Sequence, residues 1–232
     1  MTKEAQDAYR AGVPIFIGYF PAAVAFGILS KGCGISLLES FCFSALVFAG
    51  ASQFIALNLL MTGMGPGGII LTTLLVNFRH FLMSACLSAK MAETAKKNIF
   101  LMAFGVTDEV FSVLSFKPGP LSPKFVIILE SAAYSAWVGG TVAGYVLGGF
   151  LPEILTKSMG VALYALLLAI LLPEIRQSLK ALVLAVASGA LNILLIKLDL
   201  LPHGWNIIAC ILAVALAGSF FIPGEAKEEA YE

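Results

Sequence analysis

From Val13 to Ile222 the sequence is a succession of apolar runs, most of them close to twenty residues long, parted by short breaks rich in glycine, proline and lysine. A helix needs about 20 mainly apolar residues to cross the hydrocarbon layer of a bilayer, and an open backbone has no water to bond there. Runs of this length and number restrict the chain to a bundle of membrane helices. They fall at about 13–30, 38–61, 67–89, 98–116, 124–150, 159–173, 181–197 and 205–222. The breaks are KGCG (31–34), TGMGPGG (62–68), KPGPLSP (117–123), LPE (151–153), LPEIRQ (172–177) and LPHG (201–204). The runs are apolar on every face and far longer than the alternating strands of about ten residues that build a membrane barrel. The expected fold is all-α, a polytopic transmembrane helical bundle of seven or eight segments, with broken or re-entrant helices.

Composition agrees. Hydrophobic residues make up 59% of the chain and charged residues 12%, whereas a soluble domain is about half apolar and a quarter charged. Formal net charge is zero, so no basic face is offered to nucleic acid. Cys33, Cys42, Cys86 and Cys210 lack metal-ligand spacing and read as small buried side chains. No metal or cofactor is expected. Residues 1–232 read as one integral membrane domain with short solvated tails, MTKEAQDAYR at one end and GEAKEEAYE at the other. The first apolar run opens a series and is expected to be retained as a span, not cleaved as a signal.

Lysine and arginine bias short loops toward the cytoplasm. Eight crossings with the N-terminus inside divide the loop charges almost evenly. If 98–116 is re-entrant and the N-terminus outside, Lys31, Lys90, Lys96, Lys97, Lys117, Lys124, Arg176, Lys180 and Lys227 gather on the cytoplasmic side. Lys3, Arg10, Lys157 and Lys197 then lie opposite. Both arrangements put the C-terminus inside. Small residues suit close helix packing, and GxxxG spacings join Gly140, Gly144 and Gly148, expected to serve packing within the chain. The stretches 44–68 and 182–204 share a small-residue cluster, an amide, an apolar run and a Pro/Gly turn, a possible internal repeat of the kind transporters use.

A charge at mid-bilayer costs about 2.5–3.5 kcal/mol on insertion scales and is retained where it faces a cavity or a partner. Arg79 and His80, in VNFRHF, lie over halfway along their apolar run. With Asn77 just before them, they are expected to mark a helix break lining a polar cavity, Arg79 being its functional charge; an early helix end with Arg79 as interfacial anchor is the alternative. His80 reads as a neutral ring bonded to a carbonyl, or as a titrating group if wet. In TDEV, Asp108 and Glu109 are adjacent and point about 100° apart on a helix. At most one can face Arg79. Thr107 is suited to cap a helix that starts at 108, with the acids in its first turn. In AGASQF, Gln53 and Ser52 sit deep in an apolar run, either as pocket ligands beside a break at Gly50 or as interhelical hydrogen bonds. Pro21 predicts a kink or break near 17–22. Glu39 and Glu130 are expected at the interface.

FPAAVAFGILSKGCGISLLESFCFSALVFAGASQF, then TTLLVNFRHFLM, then VTDEVFSVL resemble the AzlC-type family, the large subunit of two-component branched-chain amino acid exporters of bacteria. The likeness runs the length of the chain and is most specific over 12–116. It implies a multi-pass permease of the cytoplasmic membrane that exports branched-chain amino acids, with proton exchange the usual expectation for such a carrier. It also implies a small hydrophobic partner subunit of AzlD type. For such a zwitterionic amino acid substrate, Arg79 suits the carboxylate and Asp108 or Glu109 the amine or a coupled proton, with Phe26 and Phe54 as an apolar pocket. A channel would instead show polar rings repeated in an oligomer. An enzyme is disfavoured: neither HExxH nor GxSxG is present, and the histidines are His80 and His203 alone.

Overall fold

The computed structural model describes residues 2–91, 98–150, 178–198 and 205–221, with isolated positions between 168 and 201. The expected segment at 159–173, for the most part, and the tail GEAKEEAYE lie outside the described residues. Among those described the chain is helical: α1 (Lys3–Gly32), α2 (Leu37–Val47), α3 (Gly50–Met61), α4 (Pro66–Ser88), α5 (Ile99–Phe104), α6 (Asp108–Phe116), α7 (Pro123–Leu147), α8 (Leu179–Leu198) and α9 (Trp205–Phe221). Four of them, α1, α4, α7 and α8, are long and apolar enough to cross a membrane, while α2, α3 and α9 are shorter apolar helices.

The central element is the α1–α7 pair, which shares the most extensive helix contact in the described structure. The glycines of the GxxxG spacings make it possible, and they act within the chain. A Cβ at Gly144 would run into the Val24 backbone, and one at Gly140 would stand 2.8 Å from the Phe20 carbonyl oxygen. Gly27 answers from α1, lying directly against the backbone of Thr141 and Tyr145. Small residues on both helices thus bring two backbones to van der Waals distance, the usual source of helix association where apolar burial gives no net drive. α2, α5 and α6 pack on α7; α3 packs on α4, and α9 joins α4 to α8.

Two expected segments are broken, and two expected breaks are absent. The run 38–61 divides at Phe48–Ala49 into α2 and α3, beside the candidate Gly50. Phe48 makes the turn in the left-handed region, φ 43°, a conformation that disfavours a bulky side chain and must be held by its surroundings. Tyr134 and Phe104 supply that hold, their ring centroids 5.1 and 6.1 Å from that of Phe48. The run 98–116 divides at Gly105–Thr107 into α5 and α6, with Thr107 as N-cap accepting from the Val110 amide at 3.4 Å. By contrast α4 is continuous through Asn77, Arg79 and His80, which corrects the break expected there. No glycine or proline stands between Ile69 and Ala89, so nothing interrupts its hydrogen-bond ladder. α1 likewise runs unbroken through Pro14 and Pro21; packing along α7 holds it helical despite the two missing amide donors. The repeat expected between 44–68 and 182–204 does not extend to the backbone, since α8 is continuous over 179–198 where α2 and α3 part.

Glu39 is exposed in a capping box with Ser36. Glu130, expected at the interface, is turned into the protein: it is 5% exposed, inside the packing of α7. Phe26 and Phe54 are also core residues, in edge-to-face contact at 5.5 Å, and they do not line the site described next.

Candidate functional site

The two breaks face the unbroken α4 across a cavity of about 180 Å³. Its polar wall is Tyr19 of α1, Arg79 and His80 of α4, and Thr107, Asp108 and Glu109 at the start of α6. Its apolar wall includes Pro14, Ile15, Ala22, Phe48 and Trp137, and Gly50 and Ala51 bring in the start of α3. An apolar cavity of about 150 Å³ already takes a benzene-sized ligand, so a small amino acid is within the range this site can hold once side chains shift.

Arg79 is the fourteenth residue of α4, about 20 Å along it at 1.5 Å per residue. Its Nη1 lies 3.0 Å from Asp108 Oδ2, the side chains being 34% and 37% exposed. Arg79 Nε is buried with no partner, so the guanidinium has donors to spare. Tyr19 donates to Glu109 Oε2, giving each of the adjacent acids its own partner on a different helix. His80 Nδ1 lies 3.2 Å from the Asn77 carbonyl oxygen. Donation along that line puts the ring proton on Nδ1 and leaves Nε2 as an acceptor. Asn77 Oδ1 is buried without a partner, and Asn77 is not among the cavity walls.

The two helix starts at the cavity differ. α6 carries its own cap and two acids in its first turn, which satisfy its positive end. α3 has no side-chain cap, and its first intrahelical bond is from the Gln53 amide to the Ala49 carbonyl. The amides of Gly50, Ala51 and Ser52 therefore form an anion-seeking end at the cavity wall.

Gln53 and Ser52 do not reach the cavity. Ser52 donates to the Ala49 carbonyl at 2.9 Å. Gln53 belongs to a buried circuit: Trp137 Nε1 donates to Gln53 Oε1 (2.7 Å), and Gln53 Nε2 to Ser44 Oγ (3.2 Å). Ser44 and Thr141 hydroxyls meet at 2.7 Å, and Thr141 Oγ1 donates to the Trp137 carbonyl. The circuit ties α2 and α3 to α7 and stands the Trp137 ring against Gly50, where a Cβ would be 2.6 Å from Cη2. Sequence reasoning missed Tyr19 and Trp137. Tyr19 had a signal, being the only polar side chain between Ala11 and Leu29.

The family described as AzlC protein matches residues 14–151, which contain every wall of this cavity. A membrane protein of Archaeoglobus fulgidus is 35% identical over 88% of this chain and 88% of its own length. The inner membrane protein YgaZ of Escherichia coli is 33% identical, covering 80% of this chain and 79% of the relative. The branched-chain amino acid transport protein AzlC of Bacillus subtilis is 27% identical over 73% of this chain and 67% of its own length. No solved structure matches the chain.

Proposed function

The chain belongs to the AzlC family of membrane proteins, and from that premise we propose that it is a secondary transporter exporting branched-chain amino acids across the cytoplasmic membrane. The reading includes proton coupling, a cytoplasmic C-terminus and a small hydrophobic partner subunit of AzlD type. One observation carries it: a cation from α4 and two anions from the first turn of α6 converge on a cavity whose other wall is apolar. A zwitterion with a branched aliphatic side chain asks for this set. A single-sign ring, as in an ion channel, is not what the cavity offers.

In the structure the charges satisfy one another. The Arg79–Asp108 pair is about a third exposed and opens onto the cavity, and a zwitterion brings a replacement partner for each charge. A substrate can therefore displace it at small cost. Its carboxylate takes the spare donors of Arg79 and the open amides of α3. Its ammonium goes to Asp108 and Glu109, releasing Tyr19. Its side chain lies against Ile15, Ala22, Phe48 and Trp137. Each release cuts a tie between α6 and the α1 or α4 span, so substrate exchange loosens the half-helix that must move for alternating access. The partner subunit has room on α4 and α8, whose apolar windows are 6% and 0% buried.

The test is counterflow of labelled leucine in proteoliposomes holding the chain with and without the small subunit. The expected result is saturable uptake competed by leucine, isoleucine and valine. No counterflow even with the subunit present removes these substrates.

A further inference from the structure

Glu130 is the eighth residue of α7, about 10 Å along the helix at 1.5 Å per residue. It is 5% exposed, and its Oε1 is buried without a hydrogen-bond partner. No cation among the described residues pairs with it. A carboxylate so placed is an uncompensated buried charge, which proteins avoid; a carboxylic acid is neutral there. The group has its own opening, a second cavity of about 310 Å³ whose walls include Leu101, Phe104, Gly105, Ile127 and Tyr134. No residue lines both this cavity and the one at Arg79.

The two cavities meet the same helix break from different sides. Gly105 lies directly on the Glu130 carboxyl, so closely that a Cβ there would collide with it. Two residues later Thr107 and Asp108 wall the Arg79 cavity. A second contact runs through Tyr134, which lines the Glu130 cavity and packs edge-on to Phe48, a wall of the other. Other titratable groups on the elements around α7 are engaged elsewhere. α5 has none; Glu109 of α6 accepts from Tyr19 of α1, and Asp108 pairs with Arg79. Glu4 of α1 accepts from Ser122, Lys31 lies over the Tyr145 ring, and Glu39 of α2 bonds Ser36. Lys3, Asp7, Tyr9 and Arg10 of α1 are exposed, and Tyr134 donates to the Ala45 carbonyl.

We propose that Glu130 is the proton-binding group of the transport cycle, loaded through its own cavity and coupled to the substrate site through the Gly105–Thr107 break. The step is an acid–base one: a proton from water forms an O–H bond on the carboxylate, and in the other half of the cycle that bond breaks and the proton returns to water. With the proton on, Gly105 packs against a neutral group. With it off, the charge draws water or amide donors to Oε1, which now has no partner, and the Gly105 backbone packed on the carboxyl has to give way. The inference rests on reading the chain as a proton-coupled transporter. It gives Asp108 and Glu109 to the substrate amine and takes the proton away from them.

The experiment uses proteoliposomes holding the chain with its small subunit, potassium-clamped with valinomycin, and compares Glu130→Gln and Glu130→Asp with the parent. One pH unit is worth about 1.4 kcal/mol per proton and supports up to about tenfold accumulation of labelled leucine. The parent is expected to accumulate leucine along the gradient. Glu130→Gln, a neutral look-alike of the protonated acid, is expected to keep leucine counterflow within about twofold and lose the accumulation entirely, while Glu130→Asp keeps part of it. Gradient-driven accumulation by Glu130→Gln at the parent level overturns the proposal. Infrared difference spectra between acidic and alkaline pH, taken on the purified protein without substrate, separate this from the transport reading. The parent is expected to show a carboxylic-acid stretch that is absent in Glu130→Gln and kept in Asp108→Asn; a band unchanged in Glu130→Gln refutes the assignment, whatever the parent transports.

Discussion

Arg79→Gln separates the substrate role of the arginine from a structural one. Among the described residues its guanidinium pairs with Asp108, at 3.0 Å, and both side chains are about a third exposed. Asp108 opens onto the cavity, where water can replace the lost partner, and the midpoint of thermal unfolding is expected to fall by a few degrees at most. Substrate binding has more to lose. A hydrogen bond to a charged group contributes about 1.5–3 kcal/mol, which is about ten- to 150-fold in affinity. Glutamine keeps one donor and no charge. The half-saturation concentration for leucine counterflow is therefore expected to rise by about that factor, with the unfolding midpoint nearly unchanged. Arg79→Lys keeps the charge on a point donor without the planar fork and is expected to fall between parent and glutamine. The assay is counterflow against leucine concentration in proteoliposomes, beside a thermal melt of the same detergent-purified protein. Parent-like half-saturation in Arg79→Gln refutes the substrate role; a collapse of the melt with no kinetic change assigns the pair to folding.

Gln53→Ala leaves Trp137 Nε1 without its buried partner, costing about 1–3 kcal/mol, while Ser44 keeps Thr141; the melt is expected to drop below that of Arg79→Gln, with leucine half-saturation unchanged in the folded fraction. Gly144→Ala forces a Cβ into the Val24 backbone, so overpacking of about 1–3 kcal/mol or more is expected as a lowered melt or lost membrane yield. Thr107→Ala removes the cap of α6, worth about 1 kcal/mol; Thr107→Ser is expected to restore both melt and transport, and a Ser variant no better than Ala points to the methyl group instead.

The apolar runs made the helical class legible, because membrane length leaves a mark on sequence that short soluble helices do not. The start of α6 was also legible: Thr107 followed by two acids is capping chemistry, and it produces a helix start even inside an apolar run. Other errors share a cause. Arg79 and Asn77 were read as marking a break because their own run looked interrupted by polarity. Polarity does not break a helix, however; a missing amide or a freed φ does, and α4 has neither between Ile69 and Ala89. The actual break, at Phe48, is made by a residue whose left-handed conformation is imposed by Tyr134 and Phe104 from other helices. Gly50 marked the neighbourhood in the sequence, but nothing local foretells that Phe48 makes the turn. Glu130 looked interfacial from its place early in a run, and its burial depends on α5 packing across α7. Gln53 was ambiguous for the same reason, since its partners Trp137 and Ser44 come from other helices.

The division of labour follows from which helices are broken. The cation sits on an unbroken span, where the backbone gives it no freedom beyond its own rotamers. The anions sit on the first turn of a half-helix, and the open amides on the first turn of another. On the proposed reading, bringing a zwitterion between them therefore acts on the two half-helices that begin at breaks, while α1, α4 and α7 run unbroken. The broken ends also touch each other: Phe48 before α3 stacks on Phe104 at the end of α5, and Tyr134 packs on both rings, 5.1 Å from Phe48 and 6.0 Å from Phe104. A displacement of α6 that moves Gly105 must disturb Phe104, and through it the residue that sets the start of α3. On the proposed reading, substrate carboxylate, substrate amine and the Glu130 carboxyl all bear on one connected piece of backbone and aromatic packing, which is what coupling between them requires.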